Sequence, residues 1–337
     1  MLIILEGPDC AGKTTFAERL LTQLAIRYPS DSSELRHSGP PRGHPLDEYV
    51  VPLLPYRPHD TVHIVADRWH VGETIYPEVL GRSTKMTPGV LAYINLFLEA
   101  RGATVTRIMP PLAEVIRRFK DRGDDLLMEP QIHDAYRLFE RSTIGMPIAA
   151  PSVNQTIAAA QRFERLAEGH RGFVTYIGPT FPHTLIVGDV RGCDGRNCKH
   201  NTRHYENGTA FMPYPNTSGA YLFDALTSTP SINPAYARFG CMNACDVDDI
   251  HAAFWSLGCP GVVALGARAH DRLTTLNIPH STVPHPQYIR RFHYTAGTEY
   301  GQLIYEVSSE ERNELKWRPS SRVSTDRPLT AASSTTS

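Results

Sequence analysis

The sequence predicts an α/β protein of two domains, each built on a parallel sheet flanked by helices. Three observations predict it. Short apolar runs recur at residues 2–5, 61–66, 104–109, 184–187 and 262–265. Segments of helical length and periodicity separate them, the alternation expected of parallel strands joined by crossover helices. Gly and Asp stand just past several of the runs, where open parallel sheets bind ligands. A chain of 337 residues is long for one domain and comfortable for two.

The first run leads into Gly7, four residues, then Gly12-Lys13-Thr14-Thr15, the spacing of a phosphate-binding loop. The context fits, because a buried-type strand precedes the loop and an amphipathic segment, 16–25, follows it. The glycines let successive N–H groups turn inward, and the helix start adds partial positive charge. In such a loop Lys13 reaches the β- and γ-phosphates of ATP and Thr14 holds Mg²⁺.

Residues 24–28 should end the first helix. The polar stretch that follows, with His37-Ser38-Gly39-Pro40-Pro41-Arg42, holds too many breakers for regular structure. Residues 46–54 are weakly helical. The run at 61–66 ends in Asp67-Arg68, which predicts a carboxylate for Mg²⁺ or acceptor placement and a cation for a phosphate. A helix is expected at 88–101, with Leu91, Ile94 and Leu98 on one face and a stop at Gly102. The run at 104–109 precedes a helix at 112–122 carrying Arg117, Arg118 and Arg122. Gly123-Asp124-Asp125 and a helix at 131–141 come next. A helix at 152–169 closes this half.

The set Glu6-Gly7-Pro8-Asp9, Gly12-Lys13-Thr14-Thr15, Asp67-Arg68-Trp69-His70, Glu73, Tyr76 and the arginine-rich helix before Gly123 resembles thymidylate kinase and its bacteriophage relatives. That resemblance implies a P-loop NTPase fold, ATP and Mg²⁺, and a thymidine-type deoxynucleotide as acceptor. It places Gly7, Asp9, Gly12, Lys13, Thr14 and Thr15 on the nucleotide and Thr14 and Asp67 on the metal. Asp67, Arg68, Glu73 and Tyr76 fall on the acceptor side, and Arg117, Arg118 and Arg122 on a lid. Two stretches depart from the pattern. Tyr76-Pro77 replaces a Tyr-Gln pair, and His37-Ser38-Gly39-Pro40-Pro41 replaces an Arg-Pro-Gly-Gly segment. Some phage relatives phosphorylate 5-hydroxymethyluracil within DNA, so the acceptor stays open between free nucleotide and DNA.

Turn signals at Gly178-Pro179 and Phe181-Pro182 set the boundaries at 1–172, a linker 173–182, a second domain 183–316 and a tail 317–337. The tail is rich in Ser, Thr, Pro and Arg and is expected to be disordered. In the second domain, runs at 184–187 and 262–265 read as strands. Residues 219–226, 246–257 and 267–276 read as helices, and Val283 as a strand end. Leu185 to Gly192, Gly208 to Phe211, Asn216 to Leu222, Met242-Asn243 and Pro284-His285-Pro286 resemble, in order, motifs of the uracil-DNA glycosylase superfamily. The implied fold is that family's α/β sandwich, with a pocket of Asp189, Phe211, Asn243 and His285. Stacking and amide pairing suit a flipped base. Asp189, Arg191 and Gln287 depart from the hydrolytic pattern, so recognition without cleavage is expected. A glycosylase and a non-catalytic DNA-binding module remain the alternatives.

Cys193-x4-Cys198-x-His200-x3-His204 has a spacing open to zinc, and Cys241, Cys245 and Cys259 partly resemble iron–sulfur ligands. Neither set is complete, and neither metal is expected. The net charge is −1 and the pI near 6.9, so DNA contact must rest on a local patch. No apolar run has membrane-spanning length. The chain enters a core-type strand at once, and its cysteines form no disulfide framework. A cytoplasmic protein is therefore expected, in the host cytoplasm if phage-encoded. The oligomeric state is open.

Overall fold

Two parallel sheets share one layer of helices. The computed structural model describes residues 1–123, 127–170, 176–188, 210–229, 238–243, 254–258, 261–292 and 297–314. The first half runs β1 (Leu2–Glu6), α1 (Lys13–Arg27), β2 (Ser32–His37), α2 (Pro45–Tyr49), β3 (Val62–Asp67), α3 (Gly72–Leu80) and α4 (Pro88–Ala100). It continues with β4 (Thr104–Ile108), α5 (Leu112–Arg122), α6 (Glu129–Arg141), β5 (Met146–Ile148) and α7 (Val153–Leu166). The second half runs β6 (Thr184–Gly188), α8 (Ser218–Ser228), β7 (Phe239–Asn243), β8 (Gly261–Leu265) and α9 (Ala267–Thr275). After these come β9 (Ser281–Val283), α10 (Pro286–Phe292) and α11 (Gly297–Glu314).

The first sheet has the order β2-β3-β1-β4-β5 and the second β7-β6-β8-β9, every pairing parallel. β1, apolar from Leu2 to Leu5, is central because both its faces are covered. Ile3 and Leu5 pack with Phe16, Leu20 and Leu24 of α1 and with Ile157 and Ala160 of α7. Leu2 and Ile4 face the other way, toward α2 and α4. Burying each such side chain contributes about 1.5–3 kcal/mol before chain entropy is counted.

Strand β2 falls where the composition predicts an irregular connection. Its residues, Ser-Ser-Glu-Leu-Arg-His, alternate only weakly and stay half exposed. It is an edge strand held by its ladder to β3, so its composition carries little apolar signal. The helices α3, α10 and α11 and the short β5 were also not foreseen. The expected helix at 246–257 lies mostly outside the described residues, as does the tail 317–337.

The core of the first sheet continues into the second. Tyr93, Ile94 and Phe97 of α4 belong to one apolar cluster with Leu222, Phe223 and Leu226 of α8 and with Ile186, Val263 and Leu265 of the second sheet. The Tyr93 and Phe223 rings meet edge-on at 5.1 Å. Gly89 lets the helices close, since a Cβ there would lie 2.7 Å from Asp224 Oδ1 and 3.1 Å from its backbone nitrogen. Lower down, the Gly178 N–H donates to the Leu96 carbonyl (3.1 Å) while Ile177 bridges Cys241 of β7. On the far face of the second sheet, Leu185, Val187, Val262 and Ala264 pack with Ala269 and Leu273 of α9. No helix among the described residues is long and apolar enough to cross a membrane.

Candidate functional site

The turn from β1 into α1 is built by two glycines in left-handed or extended positive-φ conformations. Gly7 has φ +136°, and a Cβ on it would lie 2.4 Å from the Ile108 carbonyl oxygen of β4. Gly12 has φ +89°, and a Cβ there would lie 2.8 Å from an Arg118 guanidinium nitrogen. Both positions require glycine. Lys13 is buried and folds back across the loop, donating to the carbonyls of Gly7 (2.9 Å) and Pro8 (2.7 Å). Burial pulls its ammonium below the usual lysine range. Asp9, Asp67 and Glu6 oppose that fall, and Arg68 adds to it.

Parallel pairing of β1 with β3 brings Asp67 opposite Leu5, so its carboxylate meets the first turn of α1. The Thr14 hydroxyl donates to Asp67 Oδ2 (2.5 Å), and His37 Nδ1 at the end of β2 stands 3.5 Å from the same oxygen. Asp67 Oδ1 is buried without a donor among the described residues. A buried carboxylate oxygen of this kind, beside a hydroxyl and a phosphate-type loop, suits a hard divalent cation. Thr14 and Asp67 therefore fit the Mg²⁺ that the loop implies.

Arg68 follows in a left-handed conformation, φ +68°, which is costly for a non-glycine residue and concentrates at functional sites. Its guanidinium pairs with Asp9 across the loop (2.6 Å). The Asp9 N–H donates to the Tyr76 hydroxyl (2.9 Å), and burial raises the Tyr76 pKa well beyond its usual value. Glu73 has both oxygens engaged, one by Arg82 (2.8 Å) and one by Thr84 (3.0 Å). It thus braces the segment after α3. Thr15 is exposed on α1.

The arginines of α5 divide. Arg118 lies over the loop, donates to the carbonyls of Ala11 (3.0 Å) and Cys10 (3.4 Å), and pairs with Glu114. Arg117 instead pairs with Asp121 one turn on, on the solvent side. Arg122 is exposed in the last turn, and residues 124–126 beyond it lie outside the described set.

Glu6, outside the predicted site set, has a structural task. Its Oε1 accepts from the backbone N–H groups of Trp69 (3.1 Å) and Val71 (2.8 Å), fixing the turn after β3. Burial pushes its pKa up to about 7, with the Val71 N–H and Lys13 pulling the other way. His37 is the second addition. Its position on Asp67 was hidden because β2 was not foreseen.

The ends of the second sheet gather their own group. Gly188, last in β6, faces the Phe211 ring, for a Cβ there would meet the ring's Cζ at 2.4 Å and Asn243 Oδ1 at 3.2 Å. Asn243 is buried at the end of β7, and Phe211 sits at φ +53°. His285 follows β9 and packs on Gly266, the first residue past β8, with its Nδ1 accepting from the Gln287 N–H (3.2 Å). Phe211 and Asn243 are thus together, His285 is one strand further along, and Asp189 lies outside the described residues. Cys193, Cys198, His200, His204, Cys245 and Cys259 lie outside them too. Cys241 points into the apolar core, and burial raises its thiol pKa, the reverse of what a thiolate ligand needs. Among the described residues no three His, Cys, Asp or Glu side chains gather as a metal site.

No protein-family model matches the chain. Its N-terminal half is similar to the SPbeta prophage-derived uncharacterized protein YorR of Bacillus subtilis (strain 168), 28% identical over 141 residues, 41% of this chain and 79% of YorR. Two solved structures are similar at low scores. One is the YorR protein in complex with phosphorylated GDP, from Bacillus subtilis, with 21% identity and TM-score 0.36, covering 50% of this chain and 96% of that one. The other is deoxyadenosine kinase from M. mycoides with products dCMP and a flexible dCDP, with 17% identity and TM-score 0.29, covering 48% and 97%. At these scores neither structural likeness bears on activity.

Proposed function

We propose that the first half, residues 1–172, is an ATP- and Mg²⁺-dependent nucleotide kinase whose acceptor is a thymidine-type deoxynucleotide. One observation carries the reading. The Thr14 hydroxyl and the Asp67 carboxylate meet at 2.5 Å beside the Gly7–Gly12 loop, with Asp67 Oδ1 lacking a donor among the described residues. Phosphoryl transfer asks a protein for placement and positive charge more than for covalent work. Thr14 and Asp67 would hold Mg²⁺, which would supply positive charge against the phosphate charge that grows in the transition state. The loop N–H groups cradle the phosphates. Lys13 exchanges its two carbonyl partners for phosphate oxygens, which add to the negative charge of Asp9, Asp67 and Glu6 around its buried ammonium. Arg118 holds the loop in shape through Ala11 and Cys10. Arg68, turned toward the loop by its left-handed backbone, stands ready for the acceptor phosphate, and Tyr76 closes that side.

For the second half, beyond residue 182, the reading is a base-recognising pocket of Phe211 and Asn243 in a glycosylase-like domain. The ring and the amide lie together at the Gly188 end of the second sheet. A π-face beside a directional amide is the chemistry that reads an unstacked base.

The test supplies labelled ATP and Mg²⁺ with each free deoxynucleoside monophosphate in turn, and in parallel with hydroxymethyluracil-containing DNA. Label on a thymidine-type monophosphate supports the reading. Label on no acceptor, with ATP bound, overturns it.

A further inference from the structure

The two sheet ends open on the same side of the molecule. Helix α4 begins beside the loop-bearing end of the first sheet, where Lys85 donates to the Gly43 carbonyl (3.3 Å), and descends to β4. Helix α8 begins at the Phe211 end of the second sheet, where a Cβ on Gly219 would meet the Phe211 carbonyl oxygen at 2.2 Å. Gly89, at the top of α4, touches Asp224 of α8, whereas Leu96, lower on α4, meets Gly178 beneath the second sheet. The two helices therefore descend side by side, and the strands of both sheets point the same way.

A seam joins the two ends. The Tyr214 hydroxyl, three residues after Phe211, donates to Asp47 Oδ1 (2.6 Å), and the Tyr214 ring lies 5.0 Å from that of His44. Asp47 and His44 belong to the segment that leaves β2, whose last residue, His37, touches Asp67. Three exposed cations line the seam. Arg42 precedes Gly43, Lys85 reaches the Gly43 carbonyl, and Arg290 donates to the Asn216 carbonyl (2.5 Å), two residues past Tyr214. None of the three forms a salt bridge with a carboxylate among the described residues. Of the seam's acids, Asp47 is held by Tyr214 and Glu48 accepts from Ser38 (2.9 Å). Asp224 lies by Gly89.

We propose that one single-stranded polynucleotide engages both sheet ends at once, with its phosphates crossing the seam of Arg42, Lys85 and Arg290. The proposal rests on reading the first sheet end as a kinase site and the second as a base pocket. A single strand is favoured because it presents its bases out of the stack without the unpairing a duplex would need before Phe211 and Asn243 could reach one. Exposed cations interleaved with aromatic rings are the usual means of following such a backbone.

The test uses the full chain and a fluorescein-labelled oligothymidylate of about 15 nucleotides, longer than one small site. Anisotropy is measured across a salt series for the wild type and for Arg42→Ala/Lys85→Ala/Arg290→Ala, and transfer to free nucleotides is assayed alongside. The triple variant is expected to bind the strand at least tenfold more weakly at low salt. Its dependence of log affinity on log salt should flatten by about 2, since each lost phosphate contact removes roughly 0.7. Phosphorylation of free nucleotides should stay unchanged. An oligonucleotide bound no tighter than a mononucleotide, or an unchanged salt slope in the triple variant, overturns the proposal even if free nucleotides are phosphorylated. Strand binding that depends on the three cations, in a protein that phosphorylates nothing, supports the proposal and overturns the kinase reading instead. Equal binding of polyglutamate would mark the seam as a general polyanion surface and overturn it as well.

Discussion

The Thr14 hydroxyl donates to Oδ2 of Asp67, joining the start of α1 to the end of β3. Two elements far apart in sequence thereby present one hydroxyl and one carboxylate to the same point. Asp67→Asn keeps the shape and removes the charge. We expect this variant to bind ATP without Mg²⁺ as the wild type does, and to lose transfer and Mg²⁺ dependence. Equilibrium nucleotide binding with and without the metal, beside turnover, checks it. An equal loss of metal-free ATP affinity would place Asp67 in the donor site.

On the proposed kinase reading the Lys13 ammonium meets charge that grows in the transition state, so Lys13→Ala should lose on the order of a thousandfold in transfer. The variant should fold, since the hydrogen bonds it loses are those to the Gly7 and Pro8 carbonyls of the loop. Circular dichroism and single-turnover kinetics together check this, and near-normal turnover would sink the assignment of the loop.

The α5 arginines should separate. Arg118→Ala removes the guanidinium lying over Ala11 and Gly12, and a several-fold rise in the KM for ATP is expected. Arg117→Ala breaks only an exposed i,i+4 pair, worth about 0.3–0.5 kcal/mol at most. Its kinetics should match the wild type. Equal defects would mean that both arginines act on the transferring group.

Glu6 gives a pH signature. Its pKa rises from 4.5 in the unfolded chain to about 7 in the folded protein. Between these values the folded state holds the proton more tightly. The stability this group contributes is therefore full below about pH 4.5 and declines until about pH 7. His70, buried with its pKa lowered to about 4, acts in the opposite sense below about pH 6.5. The comparison must be made between variants. Urea midpoints at about pH 5 and pH 8 should fall less for Glu6→Gln than for the wild type. An identical fall would show that Glu6 ionises freely in the folded protein.

Much of the first site was legible because its geometry is local. Gly7 and Gly12 sit at positions that only glycine tolerates, and the chain writes that requirement in a short spacing. Asp67 was legible as the last residue of an apolar strand. His37 was not, because the strand that delivers it is a polar edge whose hydrogen bonds come from β3. Glu6 was visible as a residue, but its task depends on how the chain turns back after β3. In the second half Phe211 and Asn243 lie at one sheet end, whereas His285 stands one strand along and Asp189 lies outside the described residues. The shared layer of α4 and α8 was invisible, since an apolar helix face does not say which sheet it will meet.

That shared layer has a genetic consequence. Phe223 is fully buried against Tyr93, and Phe223→Ala should cost about 3–5 kcal/mol. The loss would be felt by both halves as one calorimetric transition rather than by the second half alone. A selection for mutants that fail at phosphoryl transfer should therefore return lesions along α8, remote in sequence from the loop at Gly7–Gly12. Such alleles should be temperature-sensitive and rescued by chaperone abundance, and a mutational map drawn from loss of function alone would place residues of the Gly7–Gly12 site in the wrong half of the chain.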